Sequence, residues 1–213
     1  MSDIGRAPLL TLCGTEDPTR PDQARLDEAA GSFRAAFESL GLDMDDPNLE
    51  GTERRVVRSY QELFAGLYAE RPPDLRTFPN PERYGQMVAV TDIPFHSVCA
   101  HHLLPFFGRA HVAYLPKDRL VGLSKFARVV DFYARRPQIQ ERLTVQIAGL
   151  IEERLRPAGV MVVVQARHFC MEMRGVSKAG ATTTTSAIRG VFSEEPTRQE
   201  FLGLLRTPLG REV

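Results

Sequence analysis

The sequence has few cysteines, no excess charge of either sign and no long hydrophobic run. Cys13, Cys99 and Cys170 are too few and too scattered for a disulfide framework, so reduced thiols are expected. The 27 basic residues balance the 27 acidic ones, which excludes a global field attracting nucleic acid or membranes. No apolar run could span a bilayer and no signal-peptide core is present. We therefore expect a cytoplasmic protein with no membrane or nucleic-acid partner.

The overall composition is that of an ordinary globular protein, with 43% hydrophobic and 25% charged residues. Residues 24–42 repeat apolar side chains with a helical period, and Gly41 is a plausible helix stop. A second helix is predicted from Thr52, a usable N-cap. Four prolines in residues 70–85 then break any regular element. These patterns predict an N-terminal helical arm over residues 1–70 and a larger body over 71–213.

The larger body, residues 71–213, contains segments typical of strands and segments typical of helices. Strands are predicted over residues 87–93, 109–116, 159–170 and 186–192, because these segments alternate or are rich in β-branched residues. Helices are predicted from an N-cap at Ser124, again from Pro137, and finally over residues 197–206. Strands, then helices, then strands indicate an α+β fold on an antiparallel sheet.

Cysteine and histidine are concentrated at two places. Cys99 and His102 have a C-x-x-H spacing, which lets one turn present a thiolate and an imidazole to one metal. His168 and Cys170 stand two apart on a predicted strand, so both would share a face. Convergence of Cys99, His102 and Cys170 would suit Zn²⁺ and leave a fourth position open for water. In the alternative, a closed structural site, His101 or His168 would be the fourth ligand.

Basic and polar residues form a second cluster. Lys125 and Arg128 follow the Ser124 hydroxyl at a predicted helix start, an arrangement that favours a phosphate site. Arg174 follows Cys170 closely and could be a second phosphate contact. The triplet 140–142 places an amide, a carboxylate and a guanidinium at the next helix start. An ordinary solvated basic face and an ordinary charged first turn are the alternatives.

Five stretches in order carry a resemblance to a known family. They read CAHHLLPFFG, YLPKDRLVGLSKFARVV, RRPQIQERLT, HFCMEMRGV and TTTTSAIRGVF. Together they resemble GTP cyclohydrolase I from about Met87 to Leu205, and TERRVVRSYQELFAGL in the arm fits more weakly. The resemblance implies a T-fold (tunnelling fold), with helices on one face of an antiparallel sheet. It also implies a toroidal homo-oligomer, usually a decamer in bacteria, with active sites between subunits.

The resemblance further implies a reaction and a set of residue roles. GTP and water would give 7,8-dihydroneopterin triphosphate and formate. The zinc ligands would be Cys99, His102 and Cys170. The residues of the chemistry would be His101, His168 and, near the ribose, Ser124. Guanine would be held by Glu141 with Gln140 beside it. The triphosphate would be bound by Lys125, Arg128, Arg174 and, from the second helix, Arg58.

Two alternatives to this reaction remain, the first of them because of a departure from the family pattern. The family usually has C-E-H-H where this chain has Ala100 after Cys99. The first alternative is a paralogue of the same fold acting on a different purine or pterin, or serving a specialised deazapurine pathway. The second is a non-enzymatic zinc protein or inactive assembly partner.

Overall fold

The computed structural model describes residues 20–69 and 71–206, which form two compact units divided after residue 70. Cys13 lies outside the described residues. Whether the two units act as an arm and a catalytic body stays a prediction. Among the helices of the described ranges, none is long and apolar enough to cross a membrane.

The first unit contains both predicted helices. Helix α1 spans Gln23–Ser39 and α2 spans Thr52–Leu63, followed by a short 3₁₀ helix at Ala65–Leu67. The predicted stop after α1 is confirmed, since Gly41 has a φ of 88°. The predicted N-cap of α2 is wrong by one residue: Gly51 occupies that position, with a φ of 71°, and Thr52 is already helical.

The second unit contains a five-stranded sheet and a two-stranded one. The strands are β1 Thr77–Pro79, β2 Val88–Cys99, β3 Pro105–Leu115, β4 Arg119–Val121, β5 Pro137–Gln138, β6 Gly159–His168 and β7 Thr182–Gly190. The large sheet has the order β5-β2-β3-β6-β7, antiparallel except for the short parallel pair β2/β5, and β1 pairs with β4. The predicted α+β fold on an antiparallel sheet is confirmed.

Four helices accompany this sheet: α3 Ser124–Ala134, α4 Gln140–Leu155, α5 Phe169–Glu172 and α6 Glu195–Arg206. Helix α3 packs on β2, while α4 packs on β6 and β7. Helix α6 places Phe201 in a buried cluster with Met161 and Val163. These two β6 residues alternate with Val160 and Val162, so α6 covers the face opposite α4 at that end of the sheet.

Several predicted boundaries differ from the structure. Strand β2 continues to Cys99 and not to residue 93, β3 begins at Pro105 and not at residue 109, and β7 spans Thr182–Gly190 and not 186–192. Strand β6 ends at His168, not at Cys170, because the next position of the partner strand is Pro105, which has no N–H to extend the ladder. Pro137 does not start a helix but pairs in β5, and α4 begins at Gln140. The N-cap of α3 is Leu123, and Ser124 is the first helical residue, without a capping hydrogen bond.

Candidate active site

Three predicted metal ligands converge at one end of the sheet. Strand β2 ends at Cys99, and a tight turn, closed by the Leu103 N–H donating to the Cys99 carbonyl at 2.8 Å, carries His102. Cys170 comes from α5, directly after β6. One ligand atom from each of Cys99, His102 and Cys170 lies within 4.8 Å of the others. We call these three side chains the Cys-His-Cys group, and it could hold a metal ion.

The sulfur geometry fits zinc. The Sγ atoms of Cys99 and Cys170 are 3.8 Å apart. Two sulfurs bound at about 2.3 Å to a tetrahedral zinc are separated by about 3.8 Å. Burial, reinforced by the Cys99 sulfur, raises the pKa of the Cys170 thiol. Two thiols held this closely favour a divalent cation that deprotonates them. Cys99 is buried and His102 is exposed, so the group opens to solvent on the histidine side.

His101 and His168 lie beside the Cys-His-Cys group and do not belong to it among the described residues. The Nδ1 atom of His101 is 3.9 Å from the Cys99 sulfur, and the His101 side chain is exposed. His168, at the end of β6, stacks its ring on Phe106 with centroids 4.5 Å apart. That the site has three ligands and two spare imidazoles stays a prediction.

The start of α4 places two adjacent polar residues in different surroundings. Gln140 is 2% exposed, and its Oε1 is 2.7 Å from His168 Nε2. Glu141 is exposed, yet its charge acts on His168. Burial lowers the pKa of His168, and the Glu141 carboxylate opposes this by raising it. The predicted guanine-binding pair is therefore beside a predicted catalytic histidine.

The predicted phosphate contacts are distributed unevenly. Arg174 is exposed and its Nη1 lies 3.0 Å from His102 Nε2, so it reaches the Cys-His-Cys group. Ser124, Lys125 and Arg128 lie in the first turns of α3, and no hydrogen bond or ion pair between described residues connects their side chains to that group. Arg58 is exposed on α2, in the first unit.

Sequence reasoning missed the residues that hold His168 and Gln140 in place. Phe106 lies directly opposite His168 in the β3/β6 register, and the buried Thr144 and half-buried Thr185 form hydrogen bonds around the Gln140 side chain. Their residue types are ordinary for strands and helices. Only the strand register and the packing of α4 bring these residues together. Their spacing along the chain indicates neither the register nor the packing.

The sequence is similar to one family of known proteins over most of its length. The family model for GTP cyclohydrolase I matches residues 29–206. The GTP cyclohydrolase 1 of Clostridioides difficile is 51% identical over 176 residues, covering 82% of this chain and 93% of that protein. That of Thermobifida fusca is 50% identical over 197 residues, covering 91% and 92%. That of Mycolicibacterium vanbaalenii is 51% identical over 189 residues, covering 87% and 92%.

Proposed function

The chain belongs to the GTP cyclohydrolase I family, and from that premise we propose that it hydrolyses GTP at guanine C8, giving 7,8-dihydroneopterin triphosphate and formate. The observation that carries the proposal is the Cys-His-Cys group with His168 held beside it. An enzyme that opens the imidazole ring of a purine needs an activated water and a group that exchanges protons with the ring. This end of the sheet supplies candidates for both.

Cys99, His102 and Cys170 would hold Zn²⁺. When bound, zinc acts as a Lewis acid and lowers the pKa of a coordinated water towards neutrality. The two sulfur ligands and their 3.8 Å separation support this choice of metal. Closed coordination would need a fourth protein ligand, and the group has three members among the described residues.

His101 and His168 would move the protons. His168 would protonate N7 of the purine, since C8 accepts a nucleophile only when N7 accepts charge. His101, beside the Cys99 sulfur, would accept a proton from the attacking water. Ring opening to a formamide and a second attack on the formyl carbon would release formate. Ser124 would donate a proton at the ribose ring oxygen as the sugar opens, before rearrangement and closure of the pterin ring.

The remaining polar side chains would bind the substrate. The exposed Glu141 carboxylate would accept hydrogen bonds from guanine N1–H and the 2-amino group. Lys125, Arg128 and Arg174 would bind the triphosphate, with Arg58 as a further candidate, and that binding energy would orient C8 at the metal. Gln140 was expected beside Glu141 at the guanine, and its contacts suggest a different role, developed below.

We further propose a cytoplasmic, toroidal homo-oligomer, the decamer that the family resemblance implies, with active sites between subunits. The exposed start of α3 supports shared sites. Its cations make no described contact with the Cys-His-Cys group of the same chain, so they are free to complete a site in a neighbouring copy. Sedimentation and site-complementation between two differently inactivated variants would test this directly.

The deciding experiment is incubation of zinc-loaded protein with GTP. We expect equimolar formate and a product that becomes a fluorescent pterin on oxidation, with about one zinc per chain by metal analysis. Cys170→Ser serves as the control for contaminating activity. Zinc-loaded protein that released no formate from GTP would refute the proposal.

Ala100 favours one second candidate, a paralogue of the same fold acting on another purine or pterin. Ala100 is exposed, and its N–H donates to the Gln138 carbonyl at 2.8 Å, so its side chain is free to vary. We expect Ala100→Glu to retain zinc and GTP turnover and to change mainly the rate or its pH profile. An inert protein that gained GTP turnover only on this substitution would favour the paralogue.

A further inference from the structure

We propose that Gln140 is a positioning residue that keeps the His168 proton on Nε2, so that only Nδ1 of His168 exchanges protons with the substrate. The identity of the substrate rests on the proposed function. The placement of the proton rests on hydrogen bonds within the chain alone.

The orientation of the Gln140 amide is determined by its neighbours. Its Nε2 lies 3.0 Å from the Val164 carbonyl, 3.0 Å from the Thr183 carbonyl and 3.1 Å from Thr185 Oγ1. Carbonyl oxygens only accept hydrogen bonds, so the amide nitrogen must be on this side. A flipped amide would place Oε1 against two carbonyl oxygens in a site where Gln140 is 2% exposed.

A closed ring of hydrogen bonds supports the same orientation. The Thr144 hydroxyl donates to the Gln140 backbone carbonyl at 2.8 Å, and the hydroxyls of Thr144 and Thr185 are 2.6 Å apart. Because the Thr144 proton is already used, Thr185 donates to Thr144. Thr185 Oγ1 then has lone pairs left to accept from Gln140 Nε2. Each of the three contacts in the ring has a hydrogen only when the Gln140 nitrogen faces Thr185, because the Thr185 hydroxyl has one hydrogen and gives it to Thr144.

The consequence for His168 follows from the other end of the amide. Gln140 Oε1 carries no hydrogen, so the 2.7 Å contact requires the proton to lie on His168 Nε2. The parallel stack on Phe106, with 5° between the rings, holds the imidazole plane. In a neutral imidazole with Nε2 protonated, Nδ1 carries the lone pair. Any proton passing between His168 and the purine therefore passes through Nδ1. The neutral ring accepts a proton there, and protonation of N7 requires that this proton be taken up first, forming the imidazolium.

This role predicts a different defect from direct guanine binding. Both amide hydrogens of Gln140 and its Oε1 have partners within the chain. Loss of the side chain should leave GTP affinity nearly intact and disturb the proton transfer. Hydrogen-bond partners that orient metal-bound histidines contribute roughly 10- to 100-fold to activity, and we expect an effect of the same order for His168.

The first test measures which nitrogen of His168 carries the proton. Zinc-loaded protein labelled with ¹⁵N-histidine contains five histidines, and solid-state NMR of sedimented protein can resolve them whatever the size of the assembly. The His168 signals are those missing from His168→Ala. We expect a protonated Nε2 and a bare Nδ1 in the wild type, and a mixture of tautomers in Gln140→Met. A wild-type spectrum with the proton on Nδ1 would overturn the proposal, whether or not any variant folds.

Gln138 provides a matched control. It is equally buried, at 0% exposure, and its amide donates to the Tyr133 carbonyl and to Gln146 Oε1, both at 2.8 Å. Its hydrogen bonds do not reach His168. Gln138→Met should therefore cost stability in the same way as Gln140→Met and leave the His168 tautomer unchanged. A tautomer shift of equal size in both variants would show a general loosening of the core, and would overturn the specific role of Gln140.

The second test is a double-mutant cycle on GTP turnover. We expect Gln140→Met to lower kcat roughly 10- to 100-fold with KM changed less than about two-fold. On a His168→Ala background the same substitution should cost nothing further. A raised KM at unchanged kcat, or additive losses with His168→Ala, would refute the positioning role and favour direct binding of guanine by Gln140. Absence of wild-type turnover would instead refute the proposed function, leaving the NMR test standing.

Discussion

The Glu141→Ala variant distinguishes a guanine-binding role of this carboxylate from a purely structural role at the start of α4. Within the described residues, the exposed Glu141 carboxylate forms no ion pair, so its structural contribution is limited to the helix dipole, about 0.3–1 kcal/mol. As a guanine ligand it would accept two charge-assisted hydrogen bonds, each worth about 1.5–3 kcal/mol. The sum of about 3–6 kcal/mol corresponds to a roughly 10²- to 10⁴-fold loss of kcat/KM, at about 1.36 kcal/mol per tenfold. Folding and zinc content should be unchanged.

Comparison of GTP with ITP identifies the contact. Glu141 also raises the pKa of His168, so loss of turnover alone could act through that histidine. ITP lacks the 2-amino group and should lose one hydrogen bond in the wild type and none in Glu141→Ala. Glu153→Ala is the control, because Glu153 is half-exposed on the same helix and its described ion pair is with Arg154, at 3.5 Å. Near-wild-type kinetics for Glu141→Ala, or unchanged preference for GTP over ITP, would refute the reasoning.

Three further predictions concern the metal, the proton carrier and stability. Cys170→Ser should abolish bound zinc and turnover while the oligomer survives; zinc retained at full stoichiometry would contradict its role as a ligand. His168→Ala should keep zinc yet lose roughly 10²- to 10⁴-fold in turnover, and loss of the metal would show instead that His168 is a ligand. Burial lowers the pKa of His111, reinforced by Arg109 and opposed by Asp92, whose N–H donates to His111 Nδ1 at 3.1 Å. The unfolded chain, with a histidine pKa of about 6.5, binds more protons, so stability should fall as pH drops below about 6.5. His111→Gln should flatten that slope in urea unfolding, and an unchanged slope would contradict it.

The main elements could be predicted because their patterns are local. Alternating apolar residues identify β2, β3 and β6 without knowledge of their partners, and the 3.6-residue period identifies α1 and α4. Boundaries depend on partners. The end of β6 at His168 is set by Pro105 on the neighbouring strand, 63 residues earlier in the chain by number, and no property of the β6 segment itself reveals it.

The candidate metal site was predictable for a related reason. Cys99 and His102 belong to one turn, so their spacing alone indicates a shared ligand position. Cys170 reaches the same point although the predicted strand carrying it is a helical turn in the structure. Its contribution depends on the β3/β6 register, which the sequence does not state. From the residues alone its convergence with the other two was a hypothesis, which the resemblance to a family also implied, and the sulfur–sulfur distance gives it geometric support.

Gln140 and Glu141 are adjacent in a sequence motif but have different surroundings in the structure. Read as a motif, the two residues form one guanine-binding unit. On a helix, adjacent side chains point about 100° apart, so one of them must turn towards the sheet. Two backbone carbonyls of the sheet, those of Val164 and Thr183, face this side chain, and each accepts a hydrogen bond from it. An amide can donate to them and a carboxylate would be repelled, so glutamine takes the buried position and glutamate the exposed one. The order of these two residues thus follows from the hydrogen-bonding needs of the sheet, and it leaves the charged group exposed, as the proposed guanine contact requires.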